Sequence, residues 1–313
     1  MKVLVSGGAG FIGSHVVDGY LVAGYQVVVV DNLSTGKRSN LSPDASFYQV
    51  DITDSAALRK VFEIEKPDLV NHHAAQVNLR RSVEDPIFDA RVNVLGSLNL
   101  IELSRQFRVE KFIFASTGGA IYGEPGALPV KEESATSPLS PYGVAKRSVE
   151  MYLEYYYRVW GLEYVALRYG NVYGPRQDPY GEAGVVAIFC GKILEGKPCV
   201  IFGNGKKTRD YVYVEDVARA NLLAVFAPSG VYNIGTGKET SVLEIVEMLE
   251  RVSGRKVEVV FDEECKGEIN RIALSCEKAR EILGWVPEVS FPEGLERTFR
   301  FFEGEMQNAG YGS

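Results

Sequence analysis

The sequence lacks several features that would assign it to a class at once. Its four cysteines, Cys190, Cys199, Cys265 and Cys276, include no C-x-x-C pair. That argues against a disulfide framework or a zinc ribbon and points to a reducing compartment. The three histidines, His15, His72 and His73, have no metal-ligand spacing with those cysteines, so no metal is expected. No apolar run approaches the ~20 residues that span a bilayer. Met1-Lys2 leads straight into a strand-like run instead of a charged and then apolar leader, so the expectation is a soluble, cytoplasmic protein. An excess of positive charge is missing too. The formal net charge of −7 argues against nucleic acid or an anionic membrane as partner. Any anionic ligand must therefore be held by local features.

What is present is an ordinary globular composition over 313 residues, 46% hydrophobic and 24% charged, enough chain for a sizeable core. Short β-branched runs alternate with longer amphipathic stretches through the first half. "KVLVSG", "YQVVVVDN", "FYQVDI", "DLVNHHAA", "KFIFAST" and "YVALRYGNV" read as strands, separated by helical patterns such as 87–107 and 142–160. Such alternation predicts an α/β fold with a doubly wound parallel sheet. Near Tyr173 the texture changes, and "YGPRQDPYGEAG" reads as a long loop. Two more strands, "CVIFGNG" and "GVYNIGTG", and helices at 242–253 and around 277–283 follow. The expected division is a dinucleotide-binding unit over 1–170, with returning segments near 210–240, and a smaller interleaved substrate unit over 171–313.

"VLVSGGAGFIGSH" sets Gly7, Gly8, Gly10 and Gly13 between a strand and a helix. Side chains there would block the backbone N–H groups and the helix N-terminus from a pyrophosphate. A glycine-rich turn by itself is weak evidence, because tight turns use glycine for positive φ whatever they bind. Asp31 strengthens it. It ends the second strand 18 residues past Gly13, where a carboxylate can accept both adenosine-ribose hydroxyls and would repel a 2′-phosphate, which favours NAD over NADP. Asp31 could also serve as a turn residue in "DNLSTG". Asp51 and Ile52, after the third strand, could flank an adenine or start a helix.

"SPLSPYGVAKRSVE" puts Tyr142 and Lys146 one turn apart behind Ser140 and Pro141, which read as N-cap and first helical residue. An unperturbed phenol, with a pKa of about 10, is a poor base at neutral pH. A nearby ammonium and a positive nicotinamide ring both favour phenolate, and lowering the pKa to about 7 corresponds to ~4 kcal/mol. Alone, the pattern describes many exposed helix faces. Placed ~130 residues after a nucleotide loop, with a Ser-Thr strand end between, it becomes specific.

The motif series "SGGAGFIGSH", "DNLSTG", "HAAQV", "STGGAIYGE", "SPYGVAK", "RYGNVYGPR", "TRDYVYVEDVA" and "YNIGTG" resembles the extended short-chain dehydrogenase/reductase family, and within it the UDP-galactose 4-epimerases, over essentially the whole chain. The resemblance implies that Tyr142 is the catalytic base. Lys146 would hold the nicotinamide ribose and depress the phenol. Thr117, or less favourably Ser116, would hydrogen-bond the reacting hydroxyl. For NAD it implies contacts from Gly7, Gly10, Phe11, Ile12, Gly13, Asp31, Asn32, Ser34, Thr35, Gly36, Asp51, Ile52, Ala74, Ala75, Asn93 and Tyr169, beside Tyr142 and Lys146. For the nucleotide sugar it implies Asn171, Val185, Phe202, Arg209 and Glu268, with Thr117 and Tyr142. "STGGA" lacks the Asp-Glu pair with which related 4,6-dehydratases eliminate water, so oxidation at C4 without elimination is expected. The implied reaction interconverts UDP-galactose and UDP-glucose. UDP-N-acetylglucosamine or UDP-glucuronate as substrate, net dehydrogenation, and a non-catalytic nucleotide sensor stay open as alternatives. One departure stands out. Relatives carry Arg-x-Gly-Asp where this chain reads Cys265-Lys266-Gly267-Glu268, so a phosphate-binding arginine is missing there. A homodimer through the helices 87–107 and 142–160 is the expected assembly.

Overall fold

The structure, a computed structural model, describes residues 1–180, 184–263 and 269–310. The first half runs β1 (Lys2–Ser6), α1 (Phe11–Val22), β2 (Gln26–Asp31), β3 (Ser46–Gln49), α2 (Ser55–Glu65) and β4 (Leu69–His72). Two short helices follow, α3 (Leu79–Glu84) and α4 (Pro86–Ala90), then a π-helical turn Arg91–Gly96 and α5 (Ser97–Gln106). β5 (Lys111–Thr117), the single turn α6 (Gly118–Ile121), α7 (Pro141–Trp160) and β6 (Glu163–Tyr169) complete it. Each of the six runs read as strands overlaps one, with β3 and β6 starting one residue before the run.

The second half is β7 (Asn171–Tyr173), α8 (Val185–Leu194), β8 (Cys199–Phe202), β9 (Thr208–Arg209), β10 (Tyr211–Tyr213) and α9 (Val214–Ala224). It continues with β11 (Gly230–Ile234), β12 (Thr240–Ser241), α10 (Val242–Ser253), β13 (Val259–Asp262), a second π-helical turn Ala279–Leu283 and α11 (Phe291–Gly310). The sequence reading named no helix over α9 or α11.

Seven strands form one parallel sheet in the order β11-β6-β5-β4-β1-β2-β3. Strand order reverses direction at β1, so a crevice opens beyond the carboxyl ends of β1 and β4, where open α/β sheets bind ligands. The central strands are buried on both faces, whereas the outer strand β3 is not. Val3, Val5, Val27 and Val29 pack under α1 and α9. Leu4, Val28, Val30 and Val70 pack under α2, α5 and α7. Alternate residues of the same valine run thus serve opposite layers, as burial of a parallel sheet requires.

A third core gathers α8, α10, α11, β8 and β10, with Phe189, Leu249, Phe299 and Phe302 at its centre. The chain does not pass from one unit to the other only once. β11 hydrogen-bonds β6 as an outer strand of the large sheet, and α9 packs on α1.

Candidate active site

The glycine turn is shaped by its backbone. Gly7 has φ +72°, and a Cβ there would lie 2.5 Å from the Ala74 nitrogen. A Cβ on Gly13 would lie 2.1 Å from the Gly7 oxygen, so α1 can press against the turn only with glycine at that position. Gly10 starts α1 without a side-chain cap. Phe11, Ile12 and Gly13 follow it along the wall of a cavity of about 470 Å³, leaving the first N–H groups of the helix as the local feature for an anion. Asp31, at the end of β2, lines the same cavity. Its carboxylate accepts the Ala9 N–H at 3.0 Å and the Leu33 N–H at 2.8 Å, so it ties the glycine turn to the next loop while facing the cavity. Asp51 accepts from the Asn32 amide at 2.7 Å and from the Thr53 N–H and hydroxyl. Asp54, not Asp51, caps α2. Uncapped helix, glycine cradle and acidic strand end together fit a dinucleotide.

At the other end of the cavity stand Tyr142, Lys146, Ser116 and Thr117. Helix α7 starts as its sequence dictates, with the Ser140 hydroxyl accepting the Gly143 N–H at 3.2 Å and Pro141 in the first turn. Lys146 points inward, donating to the Ala115 carbonyl at 2.8 Å, with its nitrogen 4.8 Å from the Phe114 ring centroid and 5.8 Å from that of Tyr142. Burial lowers the Lys146 ammonium to about 8, against the opposing pull of Asp89 and then Glu150. Burial raises the Tyr142 phenol above its ordinary value, and the negative charge of Asp89 adds to this, while a hydrogen bond with Thr117 works the other way. The resemblance implied that Lys146 depresses the phenol. Among the protein's own groups, burial and then the charge of Asp89 are the leading influences on the phenol, and both favour its protonated form.

Ser116 and Thr117 divide the strand end between them. The Ser116 hydroxyl donates to Glu150 at 2.6 Å, inside a buried network in which Arg168 donates twice to the same carboxylate, at 2.9 and 2.7 Å. Thr117 stands with Tyr142 on the cavity wall and opposes the rise of its phenol. A Cβ at Gly118 would lie 2.4 Å from a Leu274 methyl, and one at Gly119 would lie 3.3 Å from the Asn171 side-chain oxygen. An acid and a base at those two positions would have to displace both neighbours.

Residues 3–235 match the family model described as "NAD dependent epimerase/dehydratase family". The chain belongs to that family. UDP-glucose 4-epimerase from Mycolicibacterium smegmatis is 42% identical over 98% of this chain and 100% of its own length. The solved UDP-glucose 4-epimerase of Thermotoga maritima with UDP-glucose is 51% identical, with a TM-score of 0.96 over 98% of this chain and 100% of that one. The Thermus thermophilus UDP-glucose 4-epimerase in complex with NAD is 47% identical, with a TM-score of 0.94 over 97% of this chain and 99% of that one.

Within this NAD dependent epimerase/dehydratase frame, most of the expected cofactor residues gather along one cavity: Gly7, Gly10, Phe11, Ile12, Gly13, Asp31, Asn32, Ser34, Thr35, Asp51, Ile52, Ala74, Ala75 and Tyr169, with Tyr142 and Lys146. Asn171 lines it as well. Two residues expected at the cofactor, Gly36 and Asn93, are not among the wall residues. Gly36 packs behind Asp31. Asn93 is buried, its side-chain amide exchanging hydrogen bonds with the Gln76 backbone in the loop after β4 and donating to Asp89. Val185 sits between the wall residues Gly184 and Val186. Phe202 and Arg209 are not among the wall residues. Phe202 lies under the Arg80 guanidinium at 5.1 Å, and Arg209 donates to the carbonyls of Thr208 and Asn270. Cys265, Lys266 and Glu268 lie outside the described residues.

The sequence reading missed Lys37, His73, Tyr173, Arg176, Gln177 and Tyr211, all on the cavity wall. Most adjoin motifs that were read, but nothing in their spacing tells which neighbour faces inward. His73 stacks on Tyr169 with ring centroids 6.3 Å apart, and its Nε2 is buried with no hydrogen-bond partner among the described residues. Burial first, and then the charge of Lys146, pushes its imidazole down to about 3, so it is neutral.

Proposed function

We propose that this chain interconverts UDP-galactose and UDP-glucose through a transient 4-keto sugar. The observation that carries this reading is the joining, in one cavity, of an uncapped glycine-rich helix start and Asp31 with Tyr142, Lys146 and Thr117. Bound there, NAD supplies reversible hydride exchange at the sugar C4. Tyr142 takes and returns the proton of the 4-hydroxyl, and Thr117 orients that hydroxyl through its hydrogen bond to the same phenol. Lys146 holds positive charge at the nicotinamide end. Because the protein's own groups favour a protonated phenol, the charge of the loaded cofactor is what makes Tyr142 a base in this scheme, coupling proton removal to the oxidised state. Asn171 and Thr117 meet the sugar. Val185, Phe202, Arg209 and Glu268 are assigned to the nucleotide diphosphate end.

Incubating the NAD-loaded protein with UDP-galactose alone should give UDP-glucose with no net NADH absorbance. Failure to form it sinks the proposal, and a panel with UDP-N-acetylglucosamine and UDP-glucuronate defines the sugar. Stoichiometric NADH would instead indicate a dehydrogenase.

The same reading includes a homodimer in a reducing cytoplasm. No helix among the described residues is long and apolar enough to cross a membrane, and Cys190, Cys199 and Cys276 are free thiols. Helices α4, α5 and α7 lie side by side and expose Ile87, at 73%, with Leu95, Val144, Met151, Tyr155 and Trp160. A second copy paired across this face would cover it. Light scattering on the wild type and on Met151→Glu reads the assembly directly.

A further inference from the structure

Asp89 is 1% exposed at the start of the π-helical turn, yet the mechanism above makes no use of it. One oxygen, Oδ1, accepts from the Gln76 amide at 3.0 Å and the Asn93 amide at 2.9 Å. The other, Oδ2, is buried without a hydrogen-bond partner among the described residues. A carboxylate taken out of water with one oxygen bare is costly unless a cation lies within reach.

Among the described residues, the surroundings leave one such cation. Helix α4 packs on α7, which contributes Tyr142, Lys146 and Glu150. Glu150 is occupied by Arg168, Arg147 and Ser116. Arg80, Arg81 and Glu84 of α3, and Arg91 of the π-helical turn, lie on the exposed side. His72 and His73 of β4 are held neutral, chiefly by burial. Lys146, 4% exposed, remains.

We infer that Asp89 is the buried through-space counter-ion of Lys146 and thereby fixes the charge of the Tyr142–Lys146 pair from behind the cavity. It is a positioning residue, clamped by Gln76 and Asn93, and does not meet the substrate. The influences run both ways: Asp89 is the leading group opposing the loss of charge from Lys146, and while burial raises the Asp89 carboxyl above its ordinary range, the Gln76 and Asn93 amides and then Lys146 oppose its protonation. Asn93, expected from the sequence to touch the cofactor, donates to this carboxylate.

The catalytic consequence rests on the reading of Tyr142 and Lys146 as the reacting pair, but the ion pairing can be tested without turnover. Thermal melting of the full chain, with equal excess NAD, would compare Asp89→Asn, Lys146→Met and the double variant. Each single change strands a buried charge, so the double variant should melt well above the temperature expected from adding the two losses. Additive losses overturn the pairing. If Asp89→Asn does not fold, the double variant should, and its failure to fold overturns the pairing equally. In the active enzyme, Asp89→Asn should move both limbs of the kcat/KM profile to lower pH by about one unit, with Asp89→Glu near wild type. A profile that falls in height without moving assigns Asp89 a merely structural role. Loss of the catalytic reading, shown by an active Tyr142→Phe, would leave the melting cycle unaffected.

Discussion

Replacing Glu150 by Gln tests whether the strand end that carries Thr117 is held by a buried charge. The Glu150 carboxylate, 1% exposed, accepts from Ser116 at 2.6 Å, twice from Arg168 at 2.9 and 2.7 Å, and from Arg147 at 3.3 Å. Arg168 also donates to the Tyr122 phenol at 2.7 Å and to the Glu132 carbonyl at 3.3 Å, and its side chain is 4% exposed. Burial works to strip the charge from Arg168. The hydrogen bonds and charge of Glu150 outweigh it, holding the guanidinium above its ordinary range.

Gln keeps the shape of the side chain and removes the counter-charge. Breaking a buried pair from one side typically costs about 3–5 kcal/mol. For a chain of this size, 1 kcal/mol is worth about 2 °C, so Tm should fall by roughly 6–10 °C. The assay is thermal melting by circular dichroism with NAD in excess, beside a urea titration to check that the m value is unchanged. Glu150→Leu combined with Arg168→Met, which removes both charges and leaves apolar side chains, should recover much of the loss. A drop of less than about 2 °C for Glu150→Gln would refute the argument that this network is a desolvated ion pair whose anion is indispensable.

Three further outcomes follow from the geometry of the site. Ser116→Ala should cost about 1 kcal/mol of stability and leave kcat nearly intact, whereas Thr117→Val should lower kcat about tenfold or more; equal losses would show that the two hydroxyls share one role. Lys146, lowered to about 8 chiefly by burial, should lose its charge as pH rises, so kcat/KM should decline through about pH 8. In the unfolded chain this ammonium stays protonated to about 10.4, so between those values the unfolded state binds more protons and Lys146 by itself makes stability rise with pH; a profile flat to pH 10 contradicts the assignment. Gly13→Ala places a methyl 2.1 Å from the Gly7 oxygen, so the purified variant should lose NAD on gel filtration while the wild type retains it.

Much of the site could be read in the sequence, because its chemistry is carried by local signals. The glycine turn, the acid ending β2, and the N-cap that sets Tyr142 and Lys146 on one helical face each need only a few consecutive residues. The sequence said least where the answer lay in another part of the chain. The resemblance implies a cofactor contact for Asn93, but only the fold shows its amide paired with the backbone of Gln76, 17 residues earlier in the chain. Ser116 and Thr117 are adjacent and chemically similar. Only Glu150, 34 residues on, shows which hydroxyl is already spent. The expectation that Lys146 and the nicotinamide ring make Tyr142 acidic counts the cations, and the opposing charge of Asp89 enters only through the packing of α4 on α7.

By itself the sequence determined the periodic features: alternating valine strands and amphipathic helices, hence a parallel sheet with a crevice, and the residue types that can cradle a pyrophosphate and move a proton. These follow from backbone geometry and side-chain spacing, which are properties of short segments. Only the tertiary structure decided the charges. Whether Tyr142 is a phenol or a phenolate, and which cation answers Asp89, depends on how deeply distant elements bury each group and on what they place beside it, and desolvation and Coulomb energy are summed in space, not along the chain.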